Sequence, residues 1–281
     1  MKFRDKSVPV SNPKMATIQE KIRSLGKALT SKTKNFLKYS LKPAIGGSPK
    51  KPHLLKSGRL VLEIRYGGLG DHLYWSHVPR IAKELGVKKV YISNSSEYRN
   101  PIYKKLFWEC NPYVNGFVNE KGYYPIFSTV EKGTNILDRV MLELGLDDGK
   151  RFHDPEIYFQ PKIRPDLQDK VIYDPNYVSN AGDTIKGKSI KNYFKKNKIK
   201  IDFQMKLRDK NVPVASIKKT LEAKDIEDFI SIIASCKEVY CLASGTATLA
   251  SALGKKTTVF YAKNLNPIFL HSKKHRYILI K

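Results

Sequence analysis

The sequence predicts an α/β protein of two doubly wound domains that face each other across a cleft. Short apolar runs alternate with amphipathic helical stretches from residue 59 to residue 262. The alternation falls into two blocks, separated by a stretch with three prolines and little periodicity at residues 147–166. The chain has 281 residues, of which 41% are hydrophobic, and can therefore bury two cores. Ligands of such folds bind at the carboxyl ends of the strands, so the cleft is the predicted site.

The first block begins with a strand, a helix and a second strand, the pattern of a parallel βαβ unit. The run RLVLEIR is short and apolar, as a buried parallel strand requires. The predicted elements of this block are a strand at 59–65, a helix at 71–85, a strand at 88–93, an irregular helical stretch at 96–110, a strand at 116–119 and a helix at 135–146. Residues 58–165 are predicted to form the first domain.

The second block repeats this alternation, and residues 166–281 are predicted to form the second domain. Its helix at 224–236 has acidic residues in the first turn, where the helix dipole favours them. The other predicted elements are strands at 170–175, 198–205, 212–219, 238–244 and 257–262, with helices at 189–197 and 245–254.

Residues 1–57 are predicted to be a basic arm and linker. They hold 14 Lys and Arg residues against Asp5 and Glu20, a net charge of +12. Apolar residues recur at helical spacing between Ile18 and Leu29 with lysines between them, which predicts a basic amphipathic helix. Two interpretations stay open: a tether to an anionic membrane surface, or a solvated lysine-rich arm.

The net charge of +26 predicts attraction to polyanions, which include nucleic acid, anionic membranes and nucleotide substrates. Basic-aromatic stretches such as KNYFKKNKIKIDF keep a nucleic-acid-binding protein among the alternatives, although no known module is found and nucleic acid is not the expected partner. The three cysteines lack CxxC spacing, and no run of about 18 apolar residues or secretory leader is found. A cytoplasmic location is expected, with the arm able to place the protein at the inner face of the membrane.

The junction GGLGD after the first strand contains three glycines, Gly67, Gly68 and Gly70, and then Asp71. It lacks the Lys-Ser or Lys-Thr of a P-loop and the third glycine of a dinucleotide fingerprint. Asp71 fits two roles: a helix N-cap, or a general base at the mouth of the cleft. His72 either lines the cleft beside Asp71 or is a hydrogen-bonded structural histidine.

The junction LASGTATLASALG near the other end of the chain is a second strand-turn-helix. It offers hydroxyl groups at Ser244, Thr246 and Thr248 and no acid. Free amides and hydroxyls at a helix start suit a phosphate or diphosphate. The small residues of this helix would also let it sit close to a sheet.

Together the two junctions resemble glycosyltransferase family 9, the ADP-heptose:lipopolysaccharide heptosyltransferases. Its members begin with a strand and a Gly-Asp helix start, here IRYGGLGDHLYWSHVPRIAKEL. They close with a strand, an Asp-Ser-Gly-Pro type of turn and a His-Leu-Ala-Ala-Ala-Leu-Gly helix, here LASGTATLASALG. The resemblance covers about residues 59 to 262. It implies the GT-B fold of two Rossmann-like domains, in a divergent and short member.

The resemblance also implies site residues. Asp71 would deprotonate the acceptor hydroxyl, and Gly67, Gly68, Gly70 and His72 would line the acceptor side. The donor diphosphate would contact Ser244, Gly245, Thr246 and Thr248, with a basic residue at Lys186 or Lys188. The family's Asp, Pro and His are replaced by Ala243, Thr246 and Thr248, so the donor or the activity itself can differ.

The implied function is transfer of a heptose or similar sugar from a nucleotide-sugar, such as an ADP-sugar, to lipopolysaccharide or another cell-surface glycan, lipid-linked or not. Neither a metal ion nor a cofactor other than the nucleotide-sugar substrate is expected. Two alternatives remain: a catalytically degenerate GT-B protein that binds nucleotide-sugars, and the basic nucleic-acid-binding protein named above.

Overall fold

Two parallel sheets form the framework of this computed structural model, which describes residues 58–124, 134–177, 185–207 and 217–280. The predicted basic arm, residues 1–57, lies outside the described residues. One sheet is built before residue 124 and the other after residue 170, so each predicted domain range holds one sheet. The exact domain boundaries stay a prediction.

The first sheet has three parallel strands in the order β1-β2-β3, with Leu62 also bridging to Tyr123. A π-helical segment, Lys104–Glu109, lies between the second and third strands, within the predicted irregular helical stretch. The elements up to the crossing segment are β1 (Arg59–Leu62), α1 (Leu69–Trp75), α2 (Val78–Glu84), β2 (Lys89–Ser93), β3 (Phe117–Val118) and α3 (Ile136–Glu143).

The predicted single helix at 71–85 is wrong, because the structure has two helices there. α1 ends at Trp75, and α2 begins at Val78 with Pro79 in its first turn. Proline has no backbone N–H to donate to the carbonyl of Trp75, and its ring crowds that carbonyl, so one continuous helix cannot form. The break ends α1 after seven residues and leaves it a short helix beside the β1 turn.

The second sheet has six parallel strands in the order β6-β5-β4-β7-β8-β9. Counted within this sheet the order is 3-2-1-4-5-6, which places a topological switch point between β4 and β7. Its elements are β4 (Val171–Asp174), α4 (Gly187–Lys196), β5 (Phe203–Met205), β6 (Thr220–Leu221), α5 (Ile226–Ser235), β7 (Glu238–Leu242), α6 (Gly245–Ala252), β8 (Thr257–Tyr261) and β9 (Arg276–Leu279).

Two elements of this sheet differ from expectation. The predicted strand at 212–219 lies partly outside the described residues, and the strand found next is β6, two residues long. The edge strand β9 was not predicted, because its four residues are only half-buried and carry a weak apolar pattern.

A single apolar core cluster runs through both sheets, from Leu60 of β1 to Val259 of β8. Leu73 of α1 and Leu249 of α6 are both completely buried in it. The first helix after β1 is therefore packed against the helix after β7, and this packing positions the site.

Candidate functional site

The backbone between β1 and α1 has an uncommon conformation. Tyr66 and Gly67 have φ angles of 70° and 57°, a region that non-glycine residues rarely adopt. A Cβ atom at Gly67 would lie 2.6 Å from the Glu97 carbonyl oxygen, and Arg99 N donates to Gly67 O at 2.8 Å. Gly67 is thus needed where the turn passes directly against the loop after β2. Its contact with a substrate stays a prediction.

Asp71 is the third residue of α1, and the N-cap of this helix is Gly68, so the predicted N-cap position of Asp71 is wrong. Asp71 still takes part in capping, because its Oδ2 accepts a hydrogen bond from Gly68 N at 2.9 Å, as the third residue of a capping box does. Burial raises the pKa of Asp71 to about 6, although the Gly68 amide and Arg99 act in the opposite direction. At neutral pH the carboxylate is ionised and more basic than an exposed aspartate. These are the properties that a general base needs.

His72 lies in the hydrophobic core. Its side chain is fully buried, its ring stacks on Tyr98 at 5.0 Å between centroids, and its Nδ1 accepts a hydrogen bond from Trp108 Nε1 at 3.0 Å. Burial lowers its pKa to about 3, so the ring is neutral. This is the structural histidine weighed as the alternative, and the predicted lining of the acceptor side by His72 finds no support.

The second turn places Ser244 at the N-cap of α6, where its Oγ accepts a hydrogen bond from Thr246 N at 3.3 Å. The Thr246 hydroxyl donates to Asp174 Oδ2 at 2.6 Å. Asp174 ends β4, is 1% exposed, and accepts hydrogen bonds from the backbone and side chain of Asn176 at 3.0 and 2.8 Å. Sequence reasoning missed Asp174, although an acid at the end of a buried strand is a usable signal.

The Thr248 hydroxyl is also engaged inside the protein. It lies 3.2 Å from His271 Nε2 and 3.4 Å from the Ser244 carbonyl oxygen, and it interacts with the Tyr74 hydroxyl of α1. Burial lowers the pKa of His271 to about 3, so this ring is neutral. Thr248 therefore joins α6 to α1 and to the segment after β8.

The two turns meet directly. A Cβ atom on Gly245 would lie 3.0 Å from Gly70 N, and a Cβ atom on Gly70 would lie 3.3 Å from Gly245 Cα. Both glycines are needed for this approach, since real Cβ contacts this short are rare. Asp71 follows Gly70 directly, so its backbone is one residue away from the contact with the Ser244–Gly245 turn. The sequence predicted two turns facing a cleft, and the structure brings their helix starts into contact.

A small cavity of about 180 Å³ lies at the carboxyl ends of β4, β5 and β6. Polar groups from each strand line it, including Asn176, Lys206 and Glu222, with Met205 and Phe229 as apolar walls. The carboxyl ends of the strands are the edge of the sheet at which doubly wound folds bind their ligands. Glu222 was not singled out from the sequence, because its strand was expected to lie earlier in the chain.

A larger cavity of about 660 Å³ lies along α5 and the crossing segment, where Phe159, Lys162, Arg164 and Asp225 are among its lining residues. None of the predicted site residues lines either cavity. The smaller cavity lies at the carboxyl ends of three strands of the six-stranded sheet, where doubly wound folds bind their ligands, and the larger one does not.

Lys188 is exposed in the first turn of α4, directly after Lys186 and Gly187. The loop before it, residues 178–184, lies outside the described residues, so the diphosphate contact of Lys188 stays a prediction. In the described part of the chain, no three His, Cys, Asp or Glu side chains are arranged to hold a metal ion. Within that same part, no helix has the length and apolarity needed to cross a bilayer.

No protein-family profile matches the chain, and no curated protein matches it in sequence. The structure is similar to solved structures at low sequence identity. A glycosyltransferase family 9 protein from Veillonella parvula DSM 2008 is 12% identical with a TM-score of 0.50, over 82% of this chain and 87% of that one. The ADP-heptose lipopolysaccharide heptosyltransferase II of E. coli is 13% identical with a TM-score of 0.52, over 78% and 89% of the two chains.

A third similar structure is TibC, an iron-containing dodecameric glycosyltransferase from enterotoxigenic E. coli H10407. It is 11% identical with a TM-score of 0.53, over 77% of this chain and 61% of that one. TibC has also been solved in complex with ADP-D-β-D-heptose. At these identities the likeness establishes the fold. The chain has the α/β fold of the GT-B glycosyltransferases of family 9, and the resemblance seen in its two junctions is confirmed at the level of structure.

Proposed function

We propose that the chain is a glycosyltransferase that moves a heptose or similar sugar from a nucleotide-sugar to a hydroxyl of lipopolysaccharide or another cell-surface glycan. The observation that carries the proposal is the contact between the two helix starts, Gly70 against Gly245. This contact brings α1, whose third residue is Asp71, against a Ser-Gly turn of the kind that suits a diphosphate.

In the proposed reaction Asp71 accepts the proton of the acceptor hydroxyl. The acceptor oxygen then forms a bond to the anomeric carbon of the donor sugar, and the bond from that carbon to the nucleoside diphosphate breaks. The negative charge that develops on the leaving diphosphate is stabilised by the first amides of α6 and by Lys188. No metal ion is required in this scheme, because amides and a lysine supply the positive potential.

The donor nucleoside is proposed to occupy the 180 Å³ cavity at the carboxyl ends of β4, β5 and β6. Glu222 pairs through Oε1 with Lys206 at 2.6 Å, and its second carboxylate oxygen can accept a hydrogen bond from a ribose hydroxyl. An ADP-sugar is the proposed donor, in keeping with the ADP-D-β-D-heptose complex of the structurally similar TibC.

The decisive experiment compares Asp71→Asn with wild type in transfer from ADP-heptose to a lipopolysaccharide acceptor, measured as ADP release. Loss of the base is expected to lower kcat by about 10²–10⁴-fold. Donor binding, measured as the rise in Tm with ADP-heptose, is expected to persist. Asn keeps the cap, because its Oδ1 can accept the hydrogen bond from Gly68 N.

Asp225→Asn is the matched control. Asp225 is also a helix-capping aspartate, accepting a hydrogen bond from Asp228 N at 2.8 Å, but it caps α5 away from the two turns. This variant is expected to keep full activity. Near-wild-type transfer by Asp71→Asn would refute the assignment of the base.

A catalytically degenerate nucleotide-sugar-binding protein is the second candidate, and one observation favours it. Thr246 donates its hydroxyl to Asp174, a buried acid at the switch point, instead of offering it to a ligand. A carboxylate there repels a diphosphate. Donor-induced stabilisation without ADP release, across several glycan acceptors, would select this candidate over the transferase.

A further inference from the structure

One stretch of the second domain carries a concentrated positive charge. Seven lysines lie between Lys186 and Lys200, and no acidic residue interrupts them. All seven are exposed: Lys186, Lys188, Lys191, Lys195, Lys196, Lys198 and Lys200. Among the residues that the structure describes, their side chains form neither ion pairs nor hydrogen bonds. We call this surface the lysine ridge.

The packing of α4 explains why the lysines share one surface. Ile190 and Phe194 are buried against the six-stranded sheet and fix the inner face of the helix. Lys188, Lys191 and Lys195 follow at spacings of three and four, so they align along the outer face. The ridge spans about 10 Å from Lys188 to Lys195, at about 1.5 Å per residue.

We propose that the lysine ridge docks the protein on an anionic phospholipid bilayer. Uncompensated lysines at this density are attracted to a surface of negative lipid headgroups, and the attraction adds up over the residues that reach it. The ridge runs along α4, from Lys186 just before the helix to Lys200, three residues before β5 begins. Docking through it would hold the six-stranded sheet at the bilayer surface, an arrangement whose use for a lipid-linked acceptor rests on the proposed function.

The ridge suits a bilayer better than a nucleic acid. Proteins that bind single strands combine basic side chains with exposed aromatic rings on which bases stack. In the stretch KNYFKKNKIKIDF the aromatic rings are turned inward, because Phe194 is buried and Tyr193 packs edge-on against Phe260 at 5.1 Å between centroids. The surface presents charge without a stacking platform.

The test measures co-sedimentation of the full chain with phosphatidylglycerol–phosphatidylcholine vesicles and with pure phosphatidylcholine vesicles. The ridge variant replaces Lys191, Lys195, Lys196 and Lys200 with Gln. The control variant replaces four exposed lysines from the part of the chain that forms the three-stranded sheet with Gln: Lys88, Lys89, Lys105 and Lys121. Both variants lose the same net charge, and both keep Lys186 and Lys188 near the proposed donor site.

The wild-type protein is expected to bind the anionic vesicles but not the neutral ones. It is expected to dissociate from the anionic vesicles as the salt concentration rises above about 0.3 M. The ridge variant is expected to lose about tenfold or more in partition coefficient, and the control variant less than about threefold. Equal losses in both variants would overturn the proposal, since net charge alone would then account for binding. Unchanged vesicle binding by the ridge variant would also overturn the proposal. So would a loss of single-stranded RNA binding by this variant without a loss of vesicle binding. ADP-heptose binding by Tm is recorded for the same proteins, so a failure of docking is distinguishable from a failure of the proposed function.

Discussion

Asp71 joins two roles in one carboxylate. As a cap it accepts a hydrogen bond from the Gly68 amide, and as a candidate base it has a pKa raised by burial to about 6. Caps are usually exposed and keep ordinary pKa values. Arg99 and Glu97, from the loop after β2, act on this carboxylate, so its surroundings depend on residues that are distant in the chain.

The raised pKa predicts how stability depends on pH. An acid whose folded-state pKa is above its unfolded value favours folding when protonated, so the contribution is full below about pH 4 and is lost as pH rises through about 6. The Asp71→Asn variant has no carboxyl group at this position, so it does not undergo this loss of stability. We expect its Tm to exceed that of wild type at pH 8 and to match it near pH 4.

The measurement is thermal unfolding of the two proteins across that pH range, with Asp225→Asn as the reference. A constant difference in Tm between Asp71→Asn and wild type at every pH would contradict the raised pKa.

At the residue scale, the sequence predicted the chemical groups of the candidate site but not the surroundings of each side chain. The Gly-Asp pattern predicted Asp71 as an N-cap or a candidate base from local spacing alone, and the structure places it three residues after the N-cap, Gly68. The pattern could not show that His72, one residue on, is enclosed by Tyr98 and Trp108, because those residues reach the helix only through the tertiary fold. The bond from Thr246 to Asp174 was missed for the same reason, since the two residues are 72 positions apart.

At the element scale the two short helices α1 and α6 are held together by a polar contact as well as by close glycines. Thr248 of α6 touches His271 and interacts with Tyr74 of α1. Thr248 and His271 are fully buried, so a hydrogen bond lost between them is not replaced by solvent.

Thr248→Val is expected to lower the free energy of unfolding by about 1–3 kcal/mol, because it leaves the buried His271 Nε2 without a partner while keeping the side-chain shape. Chemical denaturation measures this change.

Thr257→Val is the matched control. The Thr257 hydroxyl is equally buried and has no hydrogen-bond partner among the described residues. Its removal is expected to change the free energy of unfolding by less than about 0.5 kcal/mol or to stabilise the protein. Equal losses in the two variants would show that the contact at Thr248 contributes nothing.

Element types were largely predictable and element ends were not. Buried parallel strands such as β4 and β7 stand out as apolar runs, and α5 shows its acidic first turn. The single helix predicted at 71–85 failed because the helical spacing of apolar residues continues across Pro79, where the hydrogen bonding does not. The strand β9 was not predicted, because an edge strand pairs with only one neighbour and its pattern of apolar residues is weak.

At the scale of the whole molecule, the repeated alternation of strands and helices predicted the α/β class, and the structure confirms it. The strand order could not be read from the sequence, since several orders share one alternation pattern. The direct contact of the two turns was not predicted either. It depends on how the helices of the two sheets pack in a shared core, which is a property of shape and not of local pattern.

The same packing has a consequence for folding kinetics. The site is closed by contacts between distant segments, such as the bond from Asn135 to the His271 carbonyl across 136 positions. Loops of this length close slowly, while helices form quickly from neighbouring residues. We expect far-UV circular dichroism to recover early during refolding from urea and ADP-heptose binding to recover in a later, slower phase. Recovery of both signals with one rate constant would contradict this order. If the order holds, the binding-competent site is the last part of the protein to mature, so a partly folded chain cannot engage its donor.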